Sequence, residues 1–510
     1  MKRFLMLLLA CAMFLVCLAG CGGGKKDPVV DSTDTTAVQN NDEDNPGYDA
    51  NGYLLDDLPD DLDFSLYNDG KITILYWNNG ELGSGEFDPE EDAGSSIEKA
   101  VYARNKKTED RLRVELVWQG IPGKWEDKET FLSKVTTASM GGDAARYDLI
   151  GGYSQNMATL ASRGFTLDLI TASKYLNLQK PWWPDSLVND MTISDKLYFA
   201  SGDISISFLG TMLSVFVNKQ AYPNQNLYDL VYDGDWTLET MFEMIKDKRE
   251  DNGEPAKKDL EDKFGLIVAW NGYFDGFFYG SDLITAEHDS VDGSLRVGEG
   301  YVGEKADTLC EQLKTLFKSD DAWLPLESDS VRVGAVNLFA HGNAAMMLGT
   351  GTTILVYPEM IQTDVNYAIL PMPKYNEEQE TYKSVNLNIY TLWSIFSNST
   401  SEQAERAGAV MECLASEGFR KVTPVLFDTC LKSRYAKDGD TGKMYDIIRA
   451  GIVFDPGRVF STGALGGIPQ DAWQQSVIYN RSWGAQTAQV DSKLQDKLDE
   501  LCEKFKSNEN

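Results

Sequence analysis

Aromatic and polar side chains that directly follow predicted strands are the residues best suited to bind a small molecule. An aromatic ring can stack on the apolar C–H face of a sugar, while Asp, Asn, Ser and Thr can hydrogen-bond to its hydroxyl rim. The chain has 11 Trp, so such rings are plentiful. Most of the candidate ligand-binding residues end or follow a predicted strand, whereas Trp473 lies before the predicted terminal helix and Asp203 is a possible hydroxyl acceptor. The candidates are Trp77, Asn78, Tyr153, Ser154, Asp203, Trp270, Tyr273, Thr350 and Trp473. Core packing is the alternative for each aromatic residue, and a helix cap or turn is the alternative for Asp203.

Residues with catalytic potential are scarce. The chain has 2 His, and we interpret both His288 and His341 as solvated side chains in polar loops. Neither a GxSxG nor an HExxH motif occurs. Residues 298–303 match GxGxxG, but the residues before them make a poor buried strand, which argues against a nucleotide-binding loop. The sequence therefore predicts a binding protein and not an enzyme, without a metal or another cofactor.

Strands that alternate with helices must position the candidate residues. β-branched and aromatic residues predict strands at 71–77, 114–118, 147–150, 211–218, 265–270, 344–348, 367–370 and 390–396. Apolar periodicity predicts helices at 95–112, 130–140, 238–248, 304–318, 401–416 and 491–505. This alternation indicates βαβ units and a mostly parallel sheet.

The start of the chain has the pattern of an export signal. Lys2 and Arg3 precede an apolar stretch, 4–16, which is too short to span a bilayer because a span takes about 20 residues. The run Leu18-Ala19-Gly20-Cys21 follows and looks like a bacterial lipobox, in which a diacylglycerol alkylates the Cys21 thiol. We therefore expect 1–20 to be a signal peptide and Cys21 to anchor the protein on the extracellular face of the cell membrane.

The next segment, 21–70, is predicted to be an acidic, largely disordered tether, because it has no Lys or Arg from Asp27 to Asp69. The rest of the chain is long enough for two domains. Across all 510 residues the formal net charge is −32, which argues against nucleic acid as a partner because phosphate binding needs a positive face. The cysteines form no CxxC motif, and a bridge between Cys413 and Cys430 is left open.

Five short motifs, in their order along the chain, resemble the family 1 extracellular solute-binding proteins, the maltose-binding-like group. They are 147–150 followed by 158–169, Val217-Asn218-Lys219 followed by Asp235-Trp236-Thr237, 339–346, Leu370-Pro371-Met372-Pro373, and 402–416 followed by Gly418-Phe419. The resemblance extends over 71–505 and follows a lipobox. A long acidic N-terminal segment is the main departure from the family pattern.

The resemblance implies an α/β, type II periplasmic-binding-protein fold, in which two α/β lobes are joined at a hinge around a central ligand cleft. We expect 71–208 with 389–442 to form the first lobe and 209–388 with 443–510 the second. Ligand contacts are then expected from loops at the carboxyl ends of strands.

The implied function is that of a lipid-anchored extracellular substrate-binding subunit of an ABC importer. Such a protein, expected to be a monomer, captures an oligosaccharide by hinge closure and delivers it to the permease subunits. A subunit for a peptide, a polyamine or another small solute is the alternative within the same class. An anchored glycan hydrolase would need two carboxylates about 5–10 Å apart, and a sensor or adhesin without transport is a further class.

Overall fold

The computed structural model describes residues 47–141, 146–254, 257–431 and 440–507. Two sheets and a separate two-stranded hairpin organise this part of the chain. The strands are β1 (Lys71–Trp77), β2 (Glu115–Ile121), β3 (Leu149–Tyr153), β4 (Ser214–Asn218), β5 (Phe264–Ile267), β6 (Ala286–His288), β7 (Leu295–Val297), β8 (Ala322–Trp323), β9 (Ala344–Gly349), β10 (Tyr367–Leu370) and β11 (Thr391–Ile395).

The α-helices vary in length from a single turn to the long C-terminal helix. They are α1 (Ser96–Leu112), α2 (Lys128–Met140), α3 (Ser154–Ser162), α4 (Leu169–Ala172), α5 (Asp185–Met191), α6 (Ile206–Gly210), α7 (Leu227–Tyr232), α8 (Leu238–Ile245), α9 (Asp275–Gly280), α10 (Glu299–Val302), α11 (Glu304–Lys318), α12 (Asp329–Ala340), α13 (Gly351–Val356), α14 (Pro358–Gln362), α15 (Ser401–Glu417), α16 (Thr423–Leu431), α17 (Asp440–Ala450), α18 (Pro456–Val459), α19 (Ile468–Val477) and α20 (Trp483–Ser507). Within the described ranges, no helix is both long and apolar enough to cross a bilayer.

Local capping explains where two long helices, α1 and α15, begin and where α1 ends. The Ser95 side chain accepts hydrogen bonds from the first backbone N–H groups of α1, and Arg113 ends the helix in the left-handed conformation at φ 54°. Thr400 and Gln403 form a reciprocal capping box at the start of α15. These caps satisfy backbone groups that have no partner inside the helix.

The first sheet has the strand order β11-β3-β1-β2, with β1 parallel to both of its neighbours and β11 antiparallel to β3. Strand β3 is buried along its whole length. Gly152 permits this, because a Cβ atom there would lie 2.9 Å from both the Phe131 ring and Met157 Sδ. We call this sheet and the helices packed on it the first lobe.

The second sheet has the order β10-β4-β9-β5-β8, and it forms the second lobe with its helices. Strand β5 runs parallel to both neighbours, whereas β4 runs antiparallel to β9 and β10. The strands next to the connections between lobes, β4, β10 and β11, are therefore antiparallel to their neighbours. β4 and β11 each enter their sheet from the other lobe, and they run antiparallel to the strands that βαβ units connect. The predicted parallel pairing therefore holds only for the remaining strand pairs of each sheet.

Three chain segments cross between the lobes and pair with one another. The backbone of 211–213 runs antiparallel to 385–387 through N–H···O bonds of 2.9 and 3.0 Å. Ser384 joins the third segment, 451–453, through two backbone hydrogen bonds of 2.9 Å. We call these three paired segments the hinge. The predicted lobe bounds, 71–208 with 389–442 and 209–388 with 443–510, stay a prediction.

The packed body begins before Lys71, although 21–70 was predicted to be a tether. Residues 1–46, and Cys21 with them, lie outside the described residues. Asp56 is buried and binds Arg111 through two contacts of 2.7 Å, and it accepts a hydrogen bond from Ser416 at 2.5 Å. Lys180 pairs with Asp57 at 2.7 Å. Some of the acidic residues that suggested a solvated tether, Asp56 and Asp57, therefore form ion pairs with basic residues of the packed body.

Within the described part of the chain, Cys310, Cys413 and Cys502 are buried free thiols. Cys413 is one of them, so the bridge to Cys430 that the sequence left open is not formed. Burial raises the pKa of the Cys413 thiol to about 11, which keeps it protonated and unreactive.

A contact between the β6–β7 hairpin and α5 involves His288, which the sequence suggested to be solvated. His288 Nε2 lies 2.9 Å from the carbonyl oxygen of Asp190 on α5, and Nδ1 lies 3.1 Å from that of Gly293. Both ring nitrogens thus lie within hydrogen-bonding distance of a backbone carbonyl oxygen. Burial raises the pKa of the Asp190 carboxyl to about 6, although the Phe454 N–H and His288 oppose the increase.

We predict that Asp56→Ala lowers the free energy of unfolding by about 3–5 kcal/mol, because it leaves Arg111 without its buried countercharge. Burial alone would raise the pKa of Asp56, but the hydrogen bonds from Arg111 and Ser416 have the larger effect. The pKa is therefore lowered, and the native carboxylate is charged. Urea unfolding measures the change. The control Asp60→Ala removes an exposed carboxylate of the same segment and should change stability by less than about 0.5 kcal/mol. Equal losses in the two variants would contradict the pairing.

We predict that Asp190 makes the protein less stable as the pH rises from about 4 to about 7. Its folded pKa of about 6 lies above the ordinary value of 3.8, so its contribution is complete below pH 3.8 and is lost as the pH passes about 6. The expected loss is on the order of 2 kcal/mol, since one pKa unit corresponds to about 1.4 kcal/mol. The midpoint of urea unfolding should depend less on pH across this range in Asp190→Asn than in wild type. Asp185→Asn, which changes an exposed residue of α5, should keep the wild-type dependence. A wild-type slope that persists in Asp190→Asn would rule this origin out.

Candidate functional site

A cavity of about 440 Å³ lies where the two lobes meet. It is lined by Trp125, Tyr153, Gln155, Asn388, Thr462, Gly466, Gly467, Gln470, Asp471 and Gln474. These residues come from the first lobe, from the second crossing segment and from the start of α19. Its volume falls within the range of about 300–1,000 Å³ that is usual for small-molecule sites. We call it the interlobe cavity.

The first-lobe wall of the cavity forms where β3 ends and α3 begins. Tyr153 stacks at an angle on Trp77, with 5.6 Å between ring centroids, and its hydroxyl donates to Gln155 Oε1 at 3.1 Å. Burial raises the pKa of Tyr153, so its hydroxyl stays protonated. Ser154 Oγ donates to the Asn388 carbonyl at 2.5 Å, which fixes the crossing segment against the same helix end.

Trp125 gives this wall its exposed aromatic surface. It stands in a 3₁₀ turn, Trp125–Asp127, between β2 and α2, and 48% of it is exposed. Lys128 Nζ lies 4.2 Å from the ring centroid, so one face of the indole is covered. The other face remains for a flat, partly apolar ligand. Trp125 was not among the candidates from the sequence, which ended the preceding strand at 118.

The opposite wall is built by a glycine turn and one face of α19. Gly466 and Gly467 adopt φ values of 63° and 82°, a conformation that favours glycine, and the helix follows at once. Gln470, Asp471 and Gln474 then face the cavity from the first turns of α19. The sequence analysis missed these three residues. A Gly-Gly-Ile-Pro helix start followed by polar residues is the signal that could have found them.

Amide groups dominate the lining. The side-chain amides of Asn388, Gln470 and Gln474 form no hydrogen bond within the part of the chain that the structure describes, and each residue is partly exposed. An amide offers both donors and an acceptor, which matches the alternating demands of hydroxyl groups. The cavity thus combines one open aromatic face with uncharged hydrogen-bonding groups.

A second cavity, of about 30 Å³, lies directly behind this wall, and Gln470 lines both. Arg458 forms a buried ion pair with Asp275 there and donates to the Asn386 carbonyl at 3.3 Å. Burial alone would lower the pKa of Arg458, but the Asp275 carboxylate reverses the effect and raises it. A charged guanidinium therefore ties the hinge to α9 beneath the interlobe cavity.

The structure brings only some of the predicted site residues to this cavity. Tyr153 lines it, and Ser154 holds Asn388 beside it. Trp473 is buried and lines the smaller cavity, on the other face of α19. Trp77 is 1% exposed and donates from Nε1 to Thr391 Oγ1 at 2.9 Å, so it packs in the core of the first lobe.

The other predicted residues lie away from the lining. Asn78 is exposed beyond the end of β1. Asp203 is buried in an ion pair with Arg449 and accepts a hydrogen bond from Thr423. In the second lobe, Trp270 is half-buried under the Arg332 guanidinium, at 5.3 Å, while Tyr273 is buried with its hydroxyl 3.4 Å from Thr353 Oγ1. Thr350 is buried and caps α13. The structure thus gives local structural contacts to the side chains of Asp203, Trp270, Tyr273 and Thr350.

A larger open groove, of about 800 Å³, lies on the second lobe between α8 and 375–378. Its lining is rich in Glu, and its residues come from that lobe alone. The interlobe cavity is the better candidate for a ligand that a hinge motion would enclose, because its walls come from both sides of the hinge.

Comparisons with solved structures support the two-lobe architecture. A cyclo/maltodextrin-binding protein, in its complex with maltotetraose, is 14% identical, with a TM-score of 0.53 over 85% of this chain and 97% of its own. The GacH receptor of Streptomyces glaucescens GLA.O, solved unliganded and with acarbose and an acarbose homolog, is also 14% identical, with a TM-score of 0.52 over 84% and 99%. The predicted type II periplasmic-binding-protein fold is thereby confirmed.

Among curated protein sequences, no significant match to the chain was found. The model of the family described as bacterial extracellular solute-binding protein matches residues 88–421. That range is well over half of the chain and includes the first and second crossing segments of the hinge. The resemblance inferred from the five sequence motifs is thus confirmed, and the chain belongs to the bacterial extracellular solute-binding protein family.

Proposed function

We propose that the protein is the substrate-binding subunit of an ABC importer and that it captures an oligosaccharide in the interlobe cavity. The observation that carries the proposal is the cavity lining, which joins the open face of Trp125 to the unpaired amides of Asn388, Gln470 and Gln474. A sugar ring has an apolar face for the indole and hydroxyl groups for the amides. The two structural relatives are described with maltotetraose and acarbose, which is consistent with a saccharide ligand.

Capture by hinge closure agrees with the arrangement of the crossing segments. The walls of the cavity belong to different lobes, and three paired segments connect those lobes. Rotation about a few hinge residues would bring Trp125 and α19 together on a ligand. Permease subunits would then recognise the closed form and receive the ligand. The protein acts in this proposal as a monomer held at the extracellular face of the membrane by lipid on Cys21.

The lining also bears on the other functions that the sequence left open. A polyamine site would need several carboxylates, and among the described lining residues Asp471 is the one carboxylate. A glycan hydrolase would need two carboxyl groups about 5–10 Å apart across the ligand. We therefore propose binding without catalysis. A peptide remains an alternative ligand, because amides also pair with peptide groups, and titration with peptides separates the two.

We predict that Trp125→Ala weakens saccharide binding tenfold to a hundredfold, or by about 1–3 kcal/mol, while leaving the melting temperature almost unchanged. The ring is half exposed, so its removal costs ligand contact and little core. Calorimetric titration with the best ligand from a glycan panel and thermal melting measure the two effects.

Two matched aromatic variants control this experiment. Trp77→Ala should lose about 3–5 kcal/mol of stability, since that ring is in the core. Tyr479→Ala removes a 63% exposed ring outside the cavity lining and should change neither quantity. If Trp125→Ala binds like Tyr479→Ala, stacking on Trp125 is not part of capture.

We predict that Cys21→Ala abolishes incorporation of a fatty-acid probe, because the thiol is the acceptor of the diacylglycerol. Cys17→Ala is the matched control and should label normally, since that residue lies in the predicted signal peptide. Metabolic labelling followed by gel fluorescence measures incorporation. Equal labelling of Cys21→Ala and wild type would exclude an anchor at this cysteine.

A further inference from the structure

The charge that the described residues place in the lining of the interlobe cavity is negative. Among its described lining residues, Asp471 is the one with a charged side chain, and no Lys, Arg or His lines the cavity. The other polar side chains are amides and hydroxyls. A ligand that bears a carboxylate or phosphate would therefore be desolvated here without a cation to receive it, which is costly.

Cations near the cavity already have partners. Lys124 pairs with Glu81 at 3.1 Å, and Lys128 lies over the Trp125 ring. Arg458, behind the wall, is buried and paired with Asp275. The charges of Lys124 and Arg458 are thus already balanced by carboxylates.

The Asp471 carboxylate, in contrast, is available to a ligand. The residue is exposed, and no group within the described part of the chain donates a hydrogen bond to its side chain. Asp471 stands in the first turn of α19, where a helix end would otherwise attract an anion, and Pro469 removes one N–H donor from that end. The negative charge of Asp471 thus offsets the attraction of the N-terminus of α19 for anions.

We infer that the cavity selects uncharged or amine-bearing saccharides over acidic ones, and that Asp471 is the residue that enforces this choice. The inference rests on the proposed function and specifies its substrate class. Asp471 accepts hydrogen bonds from ligand hydroxyl or ammonium groups. It repels the carboxylate of a uronic acid or the phosphate of a sugar phosphate, and such repulsion is an efficient source of specificity.

The test compares matched pairs of saccharides on the full-length protein. The pairs are trisaccharides of α-1,4-glucose, β-1,4-glucose and β-1,4-xylose, each with a counterpart in which one residue is a uronic acid. Calorimetric titration gives the ratio of the two dissociation constants within each pair that binds. In wild type the acidic member should bind on the order of tenfold more weakly or worse. In Asp471→Asn, which keeps the size of the side chain and one accepting oxygen but removes the charge, the ratio should fall toward one.

Asp496→Asn is the matched control, because it removes the same charge from an exposed position on α20 outside the cavity lining and should leave the ratio unchanged. Acidic members that bind wild type as well as their neutral partners would overturn the inference while leaving the proposed function intact. An unchanged ratio in Asp471→Asn would overturn the role of that residue. If no saccharide of either kind binds, the proposed function itself fails.

Discussion

Backbone hydrogen bonds between the three crossing segments connect the two lobes, and the position of each wall of the interlobe cavity depends on this pairing. Asn386 lies at the centre of this pairing. Its side-chain amide donates a hydrogen bond to the Phe208 carbonyl at 2.5 Å, and its backbone carbonyl accepts a hydrogen bond from Arg458. Asn388, which directly follows this segment, lines the cavity. A ligand that binds Asn388 would therefore contact the residue next to the hinge, so occupancy and lobe position would be linked through one short stretch of backbone.

The buried Arg458–Asp275 pair extends this constraint into the second lobe. A buried ion pair adds little net stability, yet removal of one partner leaves an uncompensated charge. The pair thus favours one arrangement of α9, the hinge and the wall beneath Gln470 over alternatives. The polar side chains of Gln470 and Gln474 lie above it, and their amides remain unpaired in the cavity within the described part of the chain. Such a lining can hydrogen-bond a ligand through uncharged groups, which agrees with a family of binding proteins.

The predicted fold class is confirmed, whereas Tyr153 is the one predicted site residue that lines the interlobe cavity, and the reason for this difference is physical. Strand and helix patterns are local, so the α/β class and most element positions follow from periodicity. Tyr153 was identified because it ends a strand that reaches the cavity. Trp77 also ends a strand, but its side chain points to the core, and only the packing of helices on the sheet determines which face is buried. Trp125 and Asp471 were missed because their positions depend on a turn and on a helix that approach each other from distant parts of the chain.

A crystal structure of the protein with the neutral oligosaccharide that binds best in a glycan panel tests the central claim most directly. The account predicts density for sugar rings in the interlobe cavity, with one ring against the open face of Trp125 and hydroxyl groups within hydrogen-bonding distance of Gln470 and Gln474. Sugar bound instead in the Glu-rich groove of the second lobe beside α8, with the interlobe cavity free of it, would contradict the account.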